Sequence, residues 1–171
     1  MILTPAAQPV MDERQKLQRL FQFDLWCTRK LIKALQEELG CNQKPACLAY
    51  LSHIVNVQQN WYNRVTDSEE EPVDVWTEYS PAELRKKARR VHVKWLDLIG
   101  DHEVDLNSLI YYRNSQGAEF AGFLRNICQH VIIHGEHHRA QVSLFFRKCG
   151  LEPLALDYAD YLCTVPDALG Q

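Results

Sequence analysis

Several features that would settle a function at once are missing from this chain. Among its 171 residues no apolar run approaches the roughly 18 needed to cross a bilayer, so no membrane span is expected. There is no surplus of basic charge. Lys and Arg total 19 against 22 Asp and Glu, a net charge of -3. A general polyanion binder must displace many counterions, so no nucleic-acid partner is expected. None of the cysteines forms a C-x-x-C pair, which removes the usual zinc-ribbon and thioredoxin spacings. G-x-S-x-G, the phosphate loop and G-x-G-x-x-G are all absent. H-E-x-x-H fails because Gly135 follows His134. The fragment His134-Gly135-Glu136 lacks the P-C-x-x-C that a deaminase requires. No pair of E-x-x-H motifs supports a ferritin-like di-iron centre.

What remains has the balance of an ordinary soluble protein, 46% hydrophobic and 24% charged. That length and composition predict one domain over 12–171, after a loose leader over 1–11 that contains Pro5 and Pro9. The leader has neither a basic start with a long apolar segment nor a myristoylation glycine, so a cytoplasmic protein is expected. In that reducing compartment Cys27, Cys41, Cys47, Cys128, Cys149 and Cys163 are all expected as free thiols packed like small apolar residues.

Helical periodicity dominates the chain. Leu17, Leu20, Phe21, Leu31, Ile32, Leu35 and Leu39 mark one face of a helix from about Asp12, with Gly40 as its stop. A second helix starts near Pro45 and carries Leu51, Ile54, Gln58, Trp61 and Val65. An acidic linker follows, from about Asp67 to Tyr79. Ser80-Pro81-Ala82-Glu83 combines an N-cap, a first-turn proline and a capping-box glutamate, and the third helix runs on to Gly100. His92 within it and His102 just beyond read as surface or boundary residues. Periodicity fails from Asp101 to Phe120, where Ile110-Tyr111-Tyr112 and Asn114-Ser115-Gln116-Gly117 suggest a short strand and turn. A fourth helix is expected from about Ala121 to Lys148, stopped by Gly150 and Pro153. The fold class is therefore all-α, a four-helix bundle with a short hairpin before the last helix. The tail from Leu154 is expected to pack back on the bundle or cover a pocket.

The fourth helix holds the chemistry. Its expected inward positions are Ile127, Val131, His134, His138, Val142 and Phe145. His134 and His138 are four residues apart, one turn above each other, and two imidazoles so placed can chelate one metal. A buried imidazole without a partner loses a hydrogen bond, and a metal removes that cost. His53, the one histidine of the second helix, is the candidate third ligand. Three histidines leave coordination positions open for water or substrate.

His134-Gly135-Glu136-His137-His138-Arg139-Ala140-Gln141 resembles the H-x-x-H-H-R-G-Q signature of the DinB/YfiT-like superfamily. Leu51-Ser52-His53-Ile54 with Trp61 is similar to its second-helix motif, and Phe23 to Leu35 to its first helix. The resemblance spans about residues 12 to 162. It implies a long crossover between helices 2 and 3 and a divalent ion such as zinc or nickel on His53, His134 and His138. It also implies a homodimer. Ala140 and Thr28 depart from the pattern, which often has Gly and Asn there. His130 lies outside the signature and is expected to pack or to support a ligand; His137 points about 100° away from His138. Asp24, Cys27 and Thr28 are possible neighbours of the site.

Three functions follow as expectations. The first is a metal-dependent hydrolase that acts on an unidentified small molecule through activated water. The second resembles the family's low-molecular-weight-thiol-dependent transferases and isomerases. The third is a non-enzymatic metal or ligand binding module. Specificity is expected from loops and the tail over the metal.

Overall fold

The structure, a computed structural model, describes residues 11–37, 40–113 and 116–165. Most of the expected leader, Leu39, Asn114 and Ser115 of the expected turn, and the tail beyond Val165 lie outside the described residues. Four long helices make the bundle: α1 (Glu13–Glu37), α2 (Lys44–Val65), α3 (Pro81–Gly100) and α4 (Leu124–Lys148). A hairpin of β1 (Leu109–Arg113) and β2 (Glu119–Phe123) precedes α4, and a short α5 (Tyr158–Thr164) follows it.

Local signals set the ends. Ser80 and Glu83 form the full capping box, with Pro81 in the first turn. At the end of α4, Gly150 takes φ 73°, Gly150 N–H donates to Arg147 O and Leu151 N–H to Phe146 O. That is a Schellman stop, which a left-handed glycine permits. The hairpin pairs Leu109 with Phe123 and Tyr111 with Ala121. This ladder takes the backbone of residues 121–123, so α4 starts three residues later than its periodicity suggests.

Helix directions follow from the side-chain contacts. Arg14 donates to Ile99 O and Arg85 to Gln36, so α1 and α3 are antiparallel. Arg125 lies 3.9 Å from Glu13 and Arg139 2.6 Å from Asp24, so α1 and α4 are parallel. Trp61 meets His130 while His53 meets His138, so α2 and α4 are antiparallel. Hence α2 and α3 run the same way, and the chain between them must return along the bundle. Residues 66–80 make that crossover. Asn60 Nδ2 donates to Val73 O at 2.7 Å, and Val73 N–H donates back to Asn60 Oδ1 at 2.9 Å. Asn56 Nδ2 donates to Thr77 O at 2.8 Å, and Tyr79 N–H to Ser52 Oγ at 3.2 Å. One polar edge of α2 thus satisfies the backbone of a loop that has no ladder of its own.

Leu17, Phe21, Leu31, Leu51, Ile54, Leu84, Trp95, Val131 and Val142 fill one core. Trp95 stacks on Phe21 at 5.1 Å. Each large apolar side chain of this kind stabilises by roughly 1.5–3 kcal/mol.

Three expectations are corrected here. Cys41 and Cys149 form a disulfide across 108 residues, so not all six cysteines are free. The parallel helices α1 and α4 end at the same end of the bundle, which brings the α1–α2 connection to the end of α4. The pair runs against the free thiols that a reducing compartment led one to expect. Second, His92 is no surface residue; it is fully buried against Asp24. Third, the buried stripe of α4 runs through Gly135, Arg139 and Phe146 rather than His134, His138 and Phe145. The helix packs against both α2 and α1, and the histidines lie half-buried on the edge that faces α2.

Candidate metal centre

His53 from the middle of α2 meets His134 and His138 from the middle of α4. One ring nitrogen of each lies within 4.8 Å of the others. The Nε2 atoms of His134 and His138 are 3.2 Å apart. The ring of His53 sits 4.7 Å from that of His138 and 5.2 Å from that of His134.

Two of the rings are oriented through their far nitrogens. His53 Nδ1–H donates to Val75 O of the crossover at 3.2 Å. His138 Nδ1–H donates to Gln141 Oε1 at 2.7 Å. A proton on Nδ1 leaves the lone pair on Nε2, the pattern that supports imidazole ligands in metal sites. His134 Nδ1 is buried and has no hydrogen-bond partner. Stacking adds to the hold. The indole of Trp76 lies 4.1 Å from His53 at 19°, and Tyr50 lies 5.6 Å from His138.

The electrostatics favour neutral rings. Burial, with the neighbouring His138 and His53 next, pushes the His134 pKa down to about 4. Burial also lowers His53, with His138 adding to the effect. Neutral imidazoles are metal ligands, whereas a cluster of imidazolium ions would repel one. The donor set therefore fits a metal ion in its chemistry: three imidazole nitrogens converge, and burial favours the neutral form of two of the rings.

The other singled-out residues fall elsewhere. His137 is exposed beside His138. His130 is exposed, with its ring 6.1 Å from His134 and 5.3 Å from Trp61, and stands outside the three-histidine group. Asp24, Cys27 and Thr28 line the other contact face of α4. Asp24 accepts from Gln58 Nε2 at 2.7 Å and meets His92 Nε2 and Arg139 Nη2, each at 2.6 Å. Thr28 Oγ1 is 3.5 Å from Arg139 Nη1. Cys27 points at Leu156 O. The tail does pack back, with Tyr161 against Phe23 and Trp26, but on α1. Among the described residues, the crossover at Val75 and Trp76 is the segment laid over His53.

Periodicity alone did not bring out the Asp24–His92–Arg139 network. Burial alone would raise the Asp24 pKa; Arg139 and His92 outweigh it and hold the carboxyl well below its ordinary range. Glu136 also pairs with Arg139, at 2.5 Å. Nor do the free thiols near the core offer a nucleophile. Burial pushes Cys27 and Cys128 up to about 12 and Cys47 up to about 11, so each is a thiol at neutral pH.

The DinB family profile matches residues 11–167, nearly the whole chain. The chain belongs to the DinB family. None of the curated proteins matches it. The helical bundle with its crossover, and the three-histidine group at the signature positions, agree with DinB membership. No helix of the described residues is long and apolar enough to cross a membrane.

Proposed function

We propose that this DinB protein is a mononuclear metalloprotein in which His53, His134 and His138 hold one divalent ion, zinc or nickel, and that it is a hydrolase. The observation that carries the reading is the convergence of three imidazoles, two of them pinned through Nδ1 by Val75 O and Gln141 Oε1. A divalent cation held by neutral imidazoles supplies Lewis acidity and a water whose pKa falls to about 7.

The protein's own part is to hold and to exclude. Trp76 and Val75 fix the His53 ring from the crossover side. Tyr50 and Gln141 fix His138. The three-histidine group contains no carboxylate: Glu136 is engaged by Arg139, and Asp24 by Arg139, His92 and Gln58. With no general base among the three, activation of water rests on the cation. An ester or a similar activated acyl compound suits such a site. The homodimer belongs to the same reading. Exposed Ile133 and Leu144 share one outer face of α4, a surface that a second copy can cover.

The test is turnover of a panel of esters and amides by zinc- and nickel-loaded protein, with and without an added low-molecular-weight thiol. Thiol-independent hydrolysis is expected. Turnover only with thiol would assign the chain to the thiol-dependent transferases instead. Tight ligand binding with no turnover under either condition would favour the binding-module reading.

A further inference from the structure

Beside the three histidines a cleft of about 230 Å³ opens between α2, the hairpin and the start of α4. Trp61, Tyr112, Gly122, Asn126, Ile127 and His130 line it. His130 links it to the metal centre, with its ring 6.1 Å from that of His134. Trp61 is eight residues from His53 along α2, and His130 is four from His134 along α4. At 1.5 Å per residue the cleft lies roughly 6–12 Å from the histidines.

Its walls are rings. Trp61 meets Tyr112 edge-on at 4.9 Å and 72°, and His130 at 5.3 Å and 71°. The Arg64 guanidinium lies 4.9 Å from the Trp61 ring and helps to hold the indole. Ile127, almost fully buried, adds an aliphatic contact. No charged side chain lines the cleft. Aromatic groups favour edge-to-face contacts at 4.5–7 Å, the spacing these walls already show. An apolar cavity of about 150 Å³ accommodates benzene, so this volume suits one substituted ring.

The absent side chain of Gly122 keeps the space open. A Cβ there would meet Ile127 at 3.7 Å and Tyr112 at 4.0 Å, ordinary contacts. A longer side chain would fill the cleft without disturbing the strand backbone.

Resting on the metal-centre reading, we propose that the substrate carries a single aromatic ring seated in this cleft, with its reacting acyl group turned to His53, His134 and His138. The substrate class is then an aryl-bearing ester or related acyl compound, not a long-chain one.

The experiment compares benzohydroxamate with acetohydroxamate on zinc-loaded full-length protein by calorimetry. The two share the metal-binding group and differ in the ring. Wild type should prefer benzohydroxamate at least tenfold. Gly122→Val should cut that preference at least fivefold and leave acetohydroxamate binding unchanged. Asn126→Phe, at the exposed lip, provides a second block that leaves the core alone. Equal preference in wild type and both variants would overturn the proposal. In parallel, benzyl alcohol is titrated into metal-free protein while the Trp61 indole and Ile127 methyl resonances are followed. Shifts there are expected. If zinc binds but neither the shifts nor the preference appears, the cleft assignment fails alone. If zinc does not bind and the shifts appear, the metal reading fails, and with it the claim that the ring belongs to a metal-site substrate.

Discussion

Arg139 Nη2 lies 2.6 Å from Asp24 Oδ1, and both side chains are buried in the contact between α1 and α4. The same carboxylate meets His92 of α3 and Gln58 of α2, so one aspartate ties all four helices together. His92 Nδ1 faces Ala88 O at 2.7 Å while its Nε2 faces Asp24, and both of those partners only accept. Removing one partner from a buried pair leaves a charge without compensation, at about 3–5 kcal/mol. Arg139→Ala should lower the urea-unfolding free energy by that amount. Asp24→Leu combined with Arg139→Met should cost less than the sum of the two single changes, because the removed groups compensate each other.

Acid should weaken the metal-free protein in two windows. The His134 pKa is about 4 in the folded chain against 6.5 unfolded, so the unfolded state binds more protons between those values. Stability therefore falls as pH drops from about 6.5 to 4. Asp24 is depressed in the folded chain, so its contribution is complete above about pH 4 and is lost below that. Thermal melts of metal-free protein across pH 3–8 check both. His134→Gln should make the upper window shallower, with His53 and His130 supplying what is left of it, and leave the lower one.

Gly135 has its own test. A Cβ added there would stand 2.7 Å from Asp24 Oδ1 and 3.1 Å from the Arg139 guanidinium nitrogens. Alanine is the better helix former by about 1 kcal/mol, so propensity alone predicts stabilisation. The crowding predicts the opposite sign, a net loss of about 1–3 kcal/mol in a urea titration.

Much of this was legible in the sequence. Ser80 and Glu83 announced α3, and Gly150 announced the end of α4, because capping chemistry is local. His134 and His138 were readable as a pair since four residues make one turn. His53 was readable as the third member only as a candidate, because distance across helices is not a local quantity. Asp24 left a signal of its own. It sits on the stripe Leu17, Phe21, Thr28, Leu31, Leu35, where an apolar residue belongs. Its partners His92 and Arg139 are 68 and 115 residues further on, which no periodicity reports. The Cys41–Cys149 pair is hidden for the same reason, and the cover of His53 was not legible because the crossover's path is set by Asn56 and Asn60.

Those asparagines give a test of how the site is held. Asn56 donates to Thr77 O and accepts from the Tyr79 hydroxyl at 2.9 Å, which keeps Val75 and Trp76 over His53. Asn56→Ala should loosen the crossover and weaken zinc binding about tenfold, as changes to groups that orient a metal's ligands do. Trp76→Ala should act in the same direction. Competition with a chromophoric chelator measures both, and unchanged affinity would mean the crossover does not orient His53.

The most direct measurement is elemental analysis of untagged protein purified with added zinc or nickel, wild type beside His53→Ala and His138→Ala. The account predicts about one divalent ion per wild-type chain, lost in both variants, and a chelator-sensitive melting temperature in wild type alone. Ligand bound only to the folded state stabilises by about 2.7 kcal/mol at a hundredfold excess over Kd. A wild-type chain that stays empty in excess metal, or variants that keep a full equivalent, would contradict it.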